Sequence, residues 1–572
     1  LTPLWSQTSI EEDYIDRVSK SITTNVLEWR SMLSNTVDNQ NKFSPSDRAF
    51  FEAKGISLHE VSRQLATLTS QRPPRIHADR PCTSGDGVIC LSQEERARFV
   101  EKGLAALAAE RFDVFIPASG AASRMFQDLS EAKKKGVDFL AKVPELAETG
   151  DRLGKAVHSL FDALPLFPFF RDLQREVLTR TGGQLDLERS SPRDVLSQGY
   201  GETVIAAMIG EDGLNLAGKP KALIPFHRYP GDELRSALCE HLHTVADLVV
   251  GKARECGVHF TCSPEHVAAF ETEAKAVVEQ LKVQRGVSIE VSFSVQAGHT
   301  DTVCVTPEGE MCRENGVPVL RPGGHGALLH NLGQQARNGA RFVNINNIDN
   351  VHPIRVRGEF LESNLMLLGV LNEVQGIAHT TVNFLKTGEA RPETLESLFV
   401  ELNEQVGLSI SDARWKQSSS EQKQALLIEA LDRPIRIVGV VKNTGEAGGG
   451  PFWVREEGGA VTRQLVEKHE LDPESPAQQE LFTKCSHFNP VRLMCGLADS
   501  DGKPFDLSRF VNEDAMMLGS KQDGGVKRKI IEWPGLWNGS MAKWITLFVE
   551  VDGSTFAPVK SVLDLSRAAH QA

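Results

Sequence analysis

An α/β fold with a mixed, mostly parallel sheet is predicted by three features of this sequence. Short apolar runs of strand character alternate with longer helical runs through the middle of the chain, the pattern of α/β units. A strand–loop–helix unit stands near residues 113–135, and its loop is built of small residues. A helical extension precedes this core, and a β-rich, Gly-rich region follows it.

The elements are read in order. Residues 1–45 are polar with a thin apolar stripe in Glu11–Met32, which predicts a docked arm rather than a domain. Ser44-Pro45-Ser46-Asp47 marks a helix start with Pro at the first position. A second helix is expected from near Ser57. The stretch Gln71–Gly87, rich in Pro, Arg and Gly, reads as an extended linker. Ser92 and Glu95 form a capping-box pattern for a helix running to about Arg111. Asp113–Pro117 is a short apolar strand, and Arg124–Lys135 has helical composition.

Residues 145–200 are expected to be helical. They include the aromatic segment Leu164–Phe170, which is assigned to core packing. Strands are expected at Ala222–Pro225, Val258–Cys262, Ser288–Val295, Thr302–Val305 and Arg341–Ile348, with helices at Asp232–Glu255 and Pro264–Arg285. A helical patch follows residue 400 and ends at Leu431. The organisation expected is an arm over 1–45, a helical subdomain and linker over 46–95, a core over 96–400 and an α+β region over 401–572 that completes the site.

Composition narrows the functional classes. The 572 residues suffice for two or three packed units. A hydrophobic fraction of 40% and a charged fraction of 24% are those of a soluble globular protein. The net charge of −13 opposes a broad nucleic-acid surface, while leaving room for a local phosphate pocket. No apolar run reaches the roughly 20 residues of a membrane span. The nine cysteines form no C-x-x-C pair, and their scatter fits reduced thiols in the cytoplasm or an organelle matrix.

Five segments carry candidate chemistry. In Pro117–Met125, the run Ala118, Ser119, Gly120, Ala121, Ala122 lets backbone approach an anion between a strand and a helix. Ser123 and the fixed cation Arg124 follow. The same run also reads as a plain tight turn. Lys221 lies between Pro220 and Pro225, a pre-placed ammonium suited to neutralising phosphate, or else an ordinary solvated lysine. Gly323, Gly324 and Gly326 surround His325 and are expected to admit a ligand against the backbone. Asp349, in Asn344–Asn350, follows an apolar strand, where an α/β sheet opens into its ligand crevice; an Asn/Asp turn competes with that reading. Lys560 follows Pro558 on a strand-like run, Thr555–Lys560.

Together and in this order, these segments resemble the signatures of sugar nucleotidyltransferases. Pro117–Met125 resembles their L-A-G-G-x-G-T-R-L loop, and Pro220–Pro225 their P-K-x-L-x-P motif. Phe293–Gln296 and Pro322–Leu329 resemble the F-x-Q and G-N-G-G segments of UDP-sugar pyrophosphorylases. Asn347–Asn350 resembles the V-D-N metal segment, and Phe556–Leu565 the F-x-P-V-K-x-x-x-D-L segment. Closer still, residues from about 46 onward resemble an uncharacterised, mainly bacterial family of the GT-A nucleotidyltransferase group. That likeness adds Gly445–Trp453, His487–Pro490 and Pro534–Gly539.

The resemblance implies a GT-A, Rossmann-like core that joins a nucleoside triphosphate to a sugar 1-phosphate, with Mg²⁺ as cofactor. It implies that the loop amides and Arg124 hold the β- and γ-phosphates and that Asp349 holds Mg²⁺. Lys221 then stabilises pyrophosphate, and Lys560 binds the sugar phosphate. Gln296 and His325, with its glycines, line the nucleotide pocket. Glu446, Gly448, Gly449, His487 and Asn489 shape the sugar side. Ser119 and Ala122 stand where the family loop has glycines and are expected to narrow the approach of phosphate; Asp301 is the candidate second metal carboxylate. Two alternatives stay open: a GT-A glycosyltransferase, and an inactive structural subunit that meets protein partners through the N-terminal arm.

Overall fold

The computed structural model describes residues 43–71, 73–249, 256–445, 448–456, 458–523 and 526–571. The expected arm, but for its last three residues, lies outside them, as does Glu446. The chain divides into two compact units. The first holds the described residues up to Gly103, Gln296–Val343 and Leu367–Val551. The second holds Leu104–Val295, Asn344–Met366 and the described residues from Asp552. Both units are discontinuous in sequence, whereas composition divides the chain only into consecutive stretches.

The second unit is built on parallel strands. Phe112–Pro117 pairs in parallel with Cys256–Thr261, placing Val114 beside Val258. That strand pairs in parallel with Glu290–Ser294, placing Phe260 beside Phe293. Val114, Phe115 and Ile116 are all buried, as a strand covered on both faces requires. Helix Val267–Arg285 supplies the crossover between the last two strands. The strands therefore share one C-terminal end, and the amide of Ala118 donates to the carbonyl of Thr261 there at 2.8 Å. Short helices fill 127–209. Phe167, Phe169 and Phe170 are buried among them, so the aromatic segment is core.

The first unit joins mixed and antiparallel sheets. Ile435–Lys442 lies parallel to Ile545–Glu550 and antiparallel to Arg492–Gly496. A separate antiparallel sheet pairs Thr302–Val305 with Val526–Glu532, and Val526–Glu532 with Met517–Asp523. Helices Pro45–Ala53 and Leu58–Thr69 pack on that sheet through Phe51, Val61, Leu68, Val303, Val305 and Ile531. Their starts follow the sequence signals: Ser44 and Ser57 each accept a backbone N–H of the first turn. Ser92 and Glu95 likewise close a capping box before helix Gln93–Ala109.

Five expectations change. Gln71–Gly87 is more than a linker. Its Ala78–Pro81 is a strand antiparallel to Gly450–Arg455, because an extended segment can complete the open edge of a partner far along the chain. Ala222–Pro225 is no strand. Lys221–Leu223 forms a 3₁₀ turn, and the strand is Pro225–Tyr229. That strand turns back through Gly231 and Asp232, both at positive φ, into strand Glu233–Ser236, so the helix expected from Asp232 starts at Ala237. Thr555–Lys560 contributes only an isolated bridge, Asn350 with Pro558. Finally, a 33-residue helix, Ile354–Lys386, stands where no element was expected. Its middle, residues 363–371, is buried on every side, which blurs the helical period there.

Among the described residues no helix is long and apolar enough to cross a membrane. All nine cysteines are free thiols.

Candidate functional site

Three charged side chains meet in the second unit. Lys221 Nζ donates to Asp349 Oδ2 at 2.8 Å, and Lys560 Nζ reaches the same oxygen at 3.2 Å. The Asp349 and Lys221 side chains are 9% and 14% exposed, whereas Lys560 is 62% exposed, so the cluster opens outward through Lys560. Burial pushes the Asp349 carboxyl up, but the Lys221 and Lys560 ammoniums together outweigh it and hold the group below the usual carboxylate value. Asp349 Oδ1 is buried without a hydrogen-bond partner among the described residues.

Backbone contacts fix each member. Strand Phe342–Asn346 ends in a turn in which the Asn350 amide donates to the Asn347 carbonyl at 3.2 Å. From one side, His241 Nε2 donates to the Ile348 carbonyl at 3.3 Å; burial pushes this imidazole down to about 4, so it is neutral. From the other, the Val559 amide donates to the Asp349 carbonyl at 3.1 Å and the Ala557 amide to Asn350 Oδ1 at 2.9 Å. Lys560 is then set by Asp564, which accepts the amides of Lys560 and Ser561 at 2.8 and 2.7 Å.

The small-residue loop borders the same cluster. The Lys221 amide donates to the Gly120 carbonyl and the Ala122 amide to the Lys219 carbonyl, each at 3.1 Å. The Val562 amide donates to the Met125 carbonyl at 3.0 Å, tying the loop's far end to the Lys560 segment. Ala118 and Ala122 are buried, while Ser119, Gly120, Ala121, Ser123 and Arg124 are exposed. The amides of Ser119, Gly120 and Ala121 donate to no protein group among the described residues, and all three residues are exposed, so three successive donors are left for an anion. Arg124 has no ion pair among the described residues. One expectation is corrected here: the Ala122 methyl is wholly buried and does not narrow an approach from outside, whereas Ser119 is exposed.

The remaining predicted residues belong to the first unit. Gln296 Nε2 donates to Asp301 Oδ1 at 3.3 Å. Burial raises the Asp301 carboxyl. His325 Nδ1 accepts the Leu536 amide at 3.0 Å, and its ring stacks on Trp537 at 4.5 Å. Burial, with His469 nearby, pushes His325 down to about 4, so it is no phosphate-binding cation at neutral pH. The flanking glycines have a reason inside the protein. A Cβ at Gly323 would strike Thr300 and Trp533, one at Gly324 the Glu532 side chain, and one at Gly326 the Pro534 carbonyl. The close approach they permit is therefore taken up by Thr300 and the segment 532–534.

Two residues of the expected sugar side are also turned inward. Buried His487 pairs with Glu550 at 3.0 Å and Ser486 at 2.9 Å. Asn489 accepts the Val491 amide at 3.0 Å and donates its own amide to the Gly449 carbonyl at 2.9 Å. Gly448 packs against Phe488. In the same unit stands a group the motifs did not mark: Glu470, whose carboxyl burial pushes up to about 8, accepting the Glu467 amide at 2.7 Å and Asn538 Nδ2 at 3.0 Å. His241 was missed as well; a His on an apolar helix carries no local signal. Asp564 was legible only as the D of the motif F-x-P-V-K-x-x-x-D-L.

No curated protein matches the chain in sequence. Among solved structures it is similar to UDP-glucose pyrophosphorylase from Leishmania major, a mutant form in complex with UDP-glucose, at 15% identity and a TM-score of 0.33. That match covers 60% of this chain and 61% of the other. It is also similar to UDP-glucose phosphorylase from Trypanosoma brucei, at 12% identity and a TM-score of 0.41, over 91% of this chain and 76% of that one. The chain thus spans 61% of the length of the Leishmania protein. A family model matches residues 44–571, nearly all that the structure describes, and the chain belongs to that family, Domain of unknown function (DUF4301).

Proposed function

We propose that this protein is a nucleotidyltransferase that joins a nucleoside triphosphate and a sugar 1-phosphate into a nucleotide sugar, releasing pyrophosphate. The observation that carries this reading is the convergence of Lys221 and Lys560 on Asp349 Oδ2, beside an exposed loop in which three successive amides have no acceptor among the described residues. A phosphate oxygen of the sugar 1-phosphate attacks the α-phosphorus, a new P–O bond forms, and the bond from the α-phosphorus to the β-bridging oxygen breaks. Such a transfer needs position and charge neutralisation more than covalent help.

The residues divide that work. The loop amides of Ser119, Gly120 and Ala121, with Arg124, bind the β- and γ-phosphates. Lys221 neutralises the departing pyrophosphate. Lys560, the most exposed of the three clustered groups, takes the sugar phosphate. Mg²⁺ is the cofactor that the motif resemblance implies, and Asp349 fits it: Oδ2 holds both lysines while Oδ1 is buried and unpartnered. No three His, Cys, Asp or Glu side chains come together as a metal site among the described residues. One carboxylate plus substrate phosphates is a common Mg²⁺ arrangement. When bound, the ion neutralises phosphate charge.

The test is pyrophosphate release from a panel of nucleoside triphosphates and sugar 1-phosphates. Release that disappears in Lys221→Ala and Asp349→Ala supports the reading. Release of a nucleoside diphosphate from a nucleotide sugar instead would make the protein a glycosyltransferase. No melting-temperature shift with any triphosphate and Mg²⁺ would make it a structural subunit.

A further inference from the structure

The first unit contains a cavity of about 700 Å³, formed by the loop around Gly407, the end of helix Ser420–Leu431, strand Val461–Val466 and the turn entering strand Ile545–Glu550. Its size is that of a small-molecule site. Its lining is rich in cations: Arg414, Arg433, Arg463, Arg509 and Lys543. Arg414 and Arg433 share one carboxylate, Glu429, each at 3.9 Å. Among the described residues, Arg463, Arg509 and Lys543 have no carboxylate within ion-pair distance.

The other carboxylates of the lining have hydrogen bonds or charge partners of their own, although Asp432 Oδ1 has none among the described residues. Asp499 Oδ1 accepts the amides of Asp501 and Lys503 at 3.0 and 2.8 Å. Asp506 Oδ1 accepts the Ser508 amide at 3.2 Å and its hydroxyl at 2.7 Å. Asp432 faces Lys386 at 3.8 Å. Glu456 accepts from Thr462 and Gln464, and burial pushes its carboxyl up, toward the neutral acid, against the nearby charges of Lys543 and Arg433. The cations therefore exceed the carboxylates free to answer them.

Arg463 is the most telling of the cations. Its guanidinium lies 5.6 Å from the Trp453 ring centroid and donates to the Val406 carbonyl. Gly407, at φ +76°, makes room for it, since a Cβ there would run into the guanidinium. Burying a guanidinium without an anion is costly, and a bound anion offsets that cost. With Glu429 shared between Arg414 and Arg433, the three cations Arg463, Arg509 and Lys543 remain without an ion-pair partner among the described residues. They suit a phosphate dianion, which accepts both guanidinium forks and ammonium donors. The volume is larger than inorganic phosphate alone requires.

We propose that this cavity is a binding site for a small phosphate-bearing metabolite, its phosphate held by Arg433, Arg463, Arg509 and Lys543. The site lies wholly in the first unit and does not depend on the proposed transferase reaction. Arg509 and Lys543 are exposed, so replacing them leaves the fold intact. The test is calorimetric titration of the full chain with inorganic phosphate and with a hexose 6-phosphate. Binding of the hexose 6-phosphate is expected, weakened by about tenfold or more in Arg509→Gln/Lys543→Gln, as loss of charge-assisted hydrogen bonds implies. Lys221→Ala, which disables the Asp349 cluster, should leave that affinity unchanged. Absence of binding by both probes overturns the proposal. So does binding that survives Arg509→Gln/Lys543→Gln but is lost in Lys221→Ala.

Discussion

Lys221 Nζ sits 2.8 Å from Asp349 Oδ2, joining a 3₁₀ turn to a strand-end turn 128 residues away in sequence. The pair is largely buried, and its strength as a hydrogen bond is that of a charge-assisted contact. Removing the ammonium by Lys221→Ala should lower turnover in pyrophosphate release by about 10²–10³-fold, the usual cost of losing one preorganised electrostatic group. Lys560→Ala should mainly raise KM for the sugar phosphate. Steady-state kinetics of both variants checks this.

Asp349 also sets a pH dependence of stability. Its pKa is lowered in the fold, so its contribution is complete above the ordinary carboxylate value. That contribution is lost as pH falls through the lowered native value. Asp349→Asn should therefore flatten the acid limb of a denaturation curve measured against pH. At neutral pH it should cost about 1–3 kcal/mol, because two ammoniums lose their shared counter-charge. Urea unfolding of both proteins at neutral and acid pH reads both effects.

Ala122 yields a contrast with Ser119. Because the Ala122 methyl is buried, Ala122→Gly should leave KM for the triphosphate unchanged and cost about 1 kcal/mol of stability through backbone entropy and lost packing. Ser119→Gly, at an exposed position, should change KM with little effect on melting temperature. The reverse pattern would show that the loop presents its other face to phosphate.

His325 should not titrate in the physiological range. Its imidazole is held near 4, below the ordinary histidine value, so it is neutral from about pH 5 upward. An NMR titration of the ring protons should show no inflection between pH 5.5 and 8, roughly the span over which an unperturbed histidine changes charge.

Sequence legibility followed the range of the forces involved. Local signals were readable: Ser44, Ser57 and Ser92 mark helix starts because a cap acts within one turn. Strand Phe112–Pro117 and the loop after it were visible as an apolar run meeting small residues. Lys221, Asp349 and Lys560 were each found beside a proline or a strand end, but nothing local showed that they share one oxygen. The glycines at 323, 324 and 326 were open to two readings for the same reason. Their need comes from segment 532–534, some two hundred residues later, and a ligand or a protein neighbour imposes the same need on the sequence. Strand Ala78–Pro81 and hairpin 225–236 depended likewise on pairing partners that no local pattern names.

The Lys221–Asp349–Lys560 cluster has a consequence for synthesis. Its members are separated by 128 and 211 residues along the chain, so no growing chain holds the cluster until residue 560 has left the ribosome. Until then Asp349 has at most one of its two ammoniums, and the carbonyls at Met125 and Asp349 lack the amides that later cap them. A product truncated before residue 560 lacks the amide that caps the Met125 carbonyl and should be recognisable by its sensitivity to proteases near Met125.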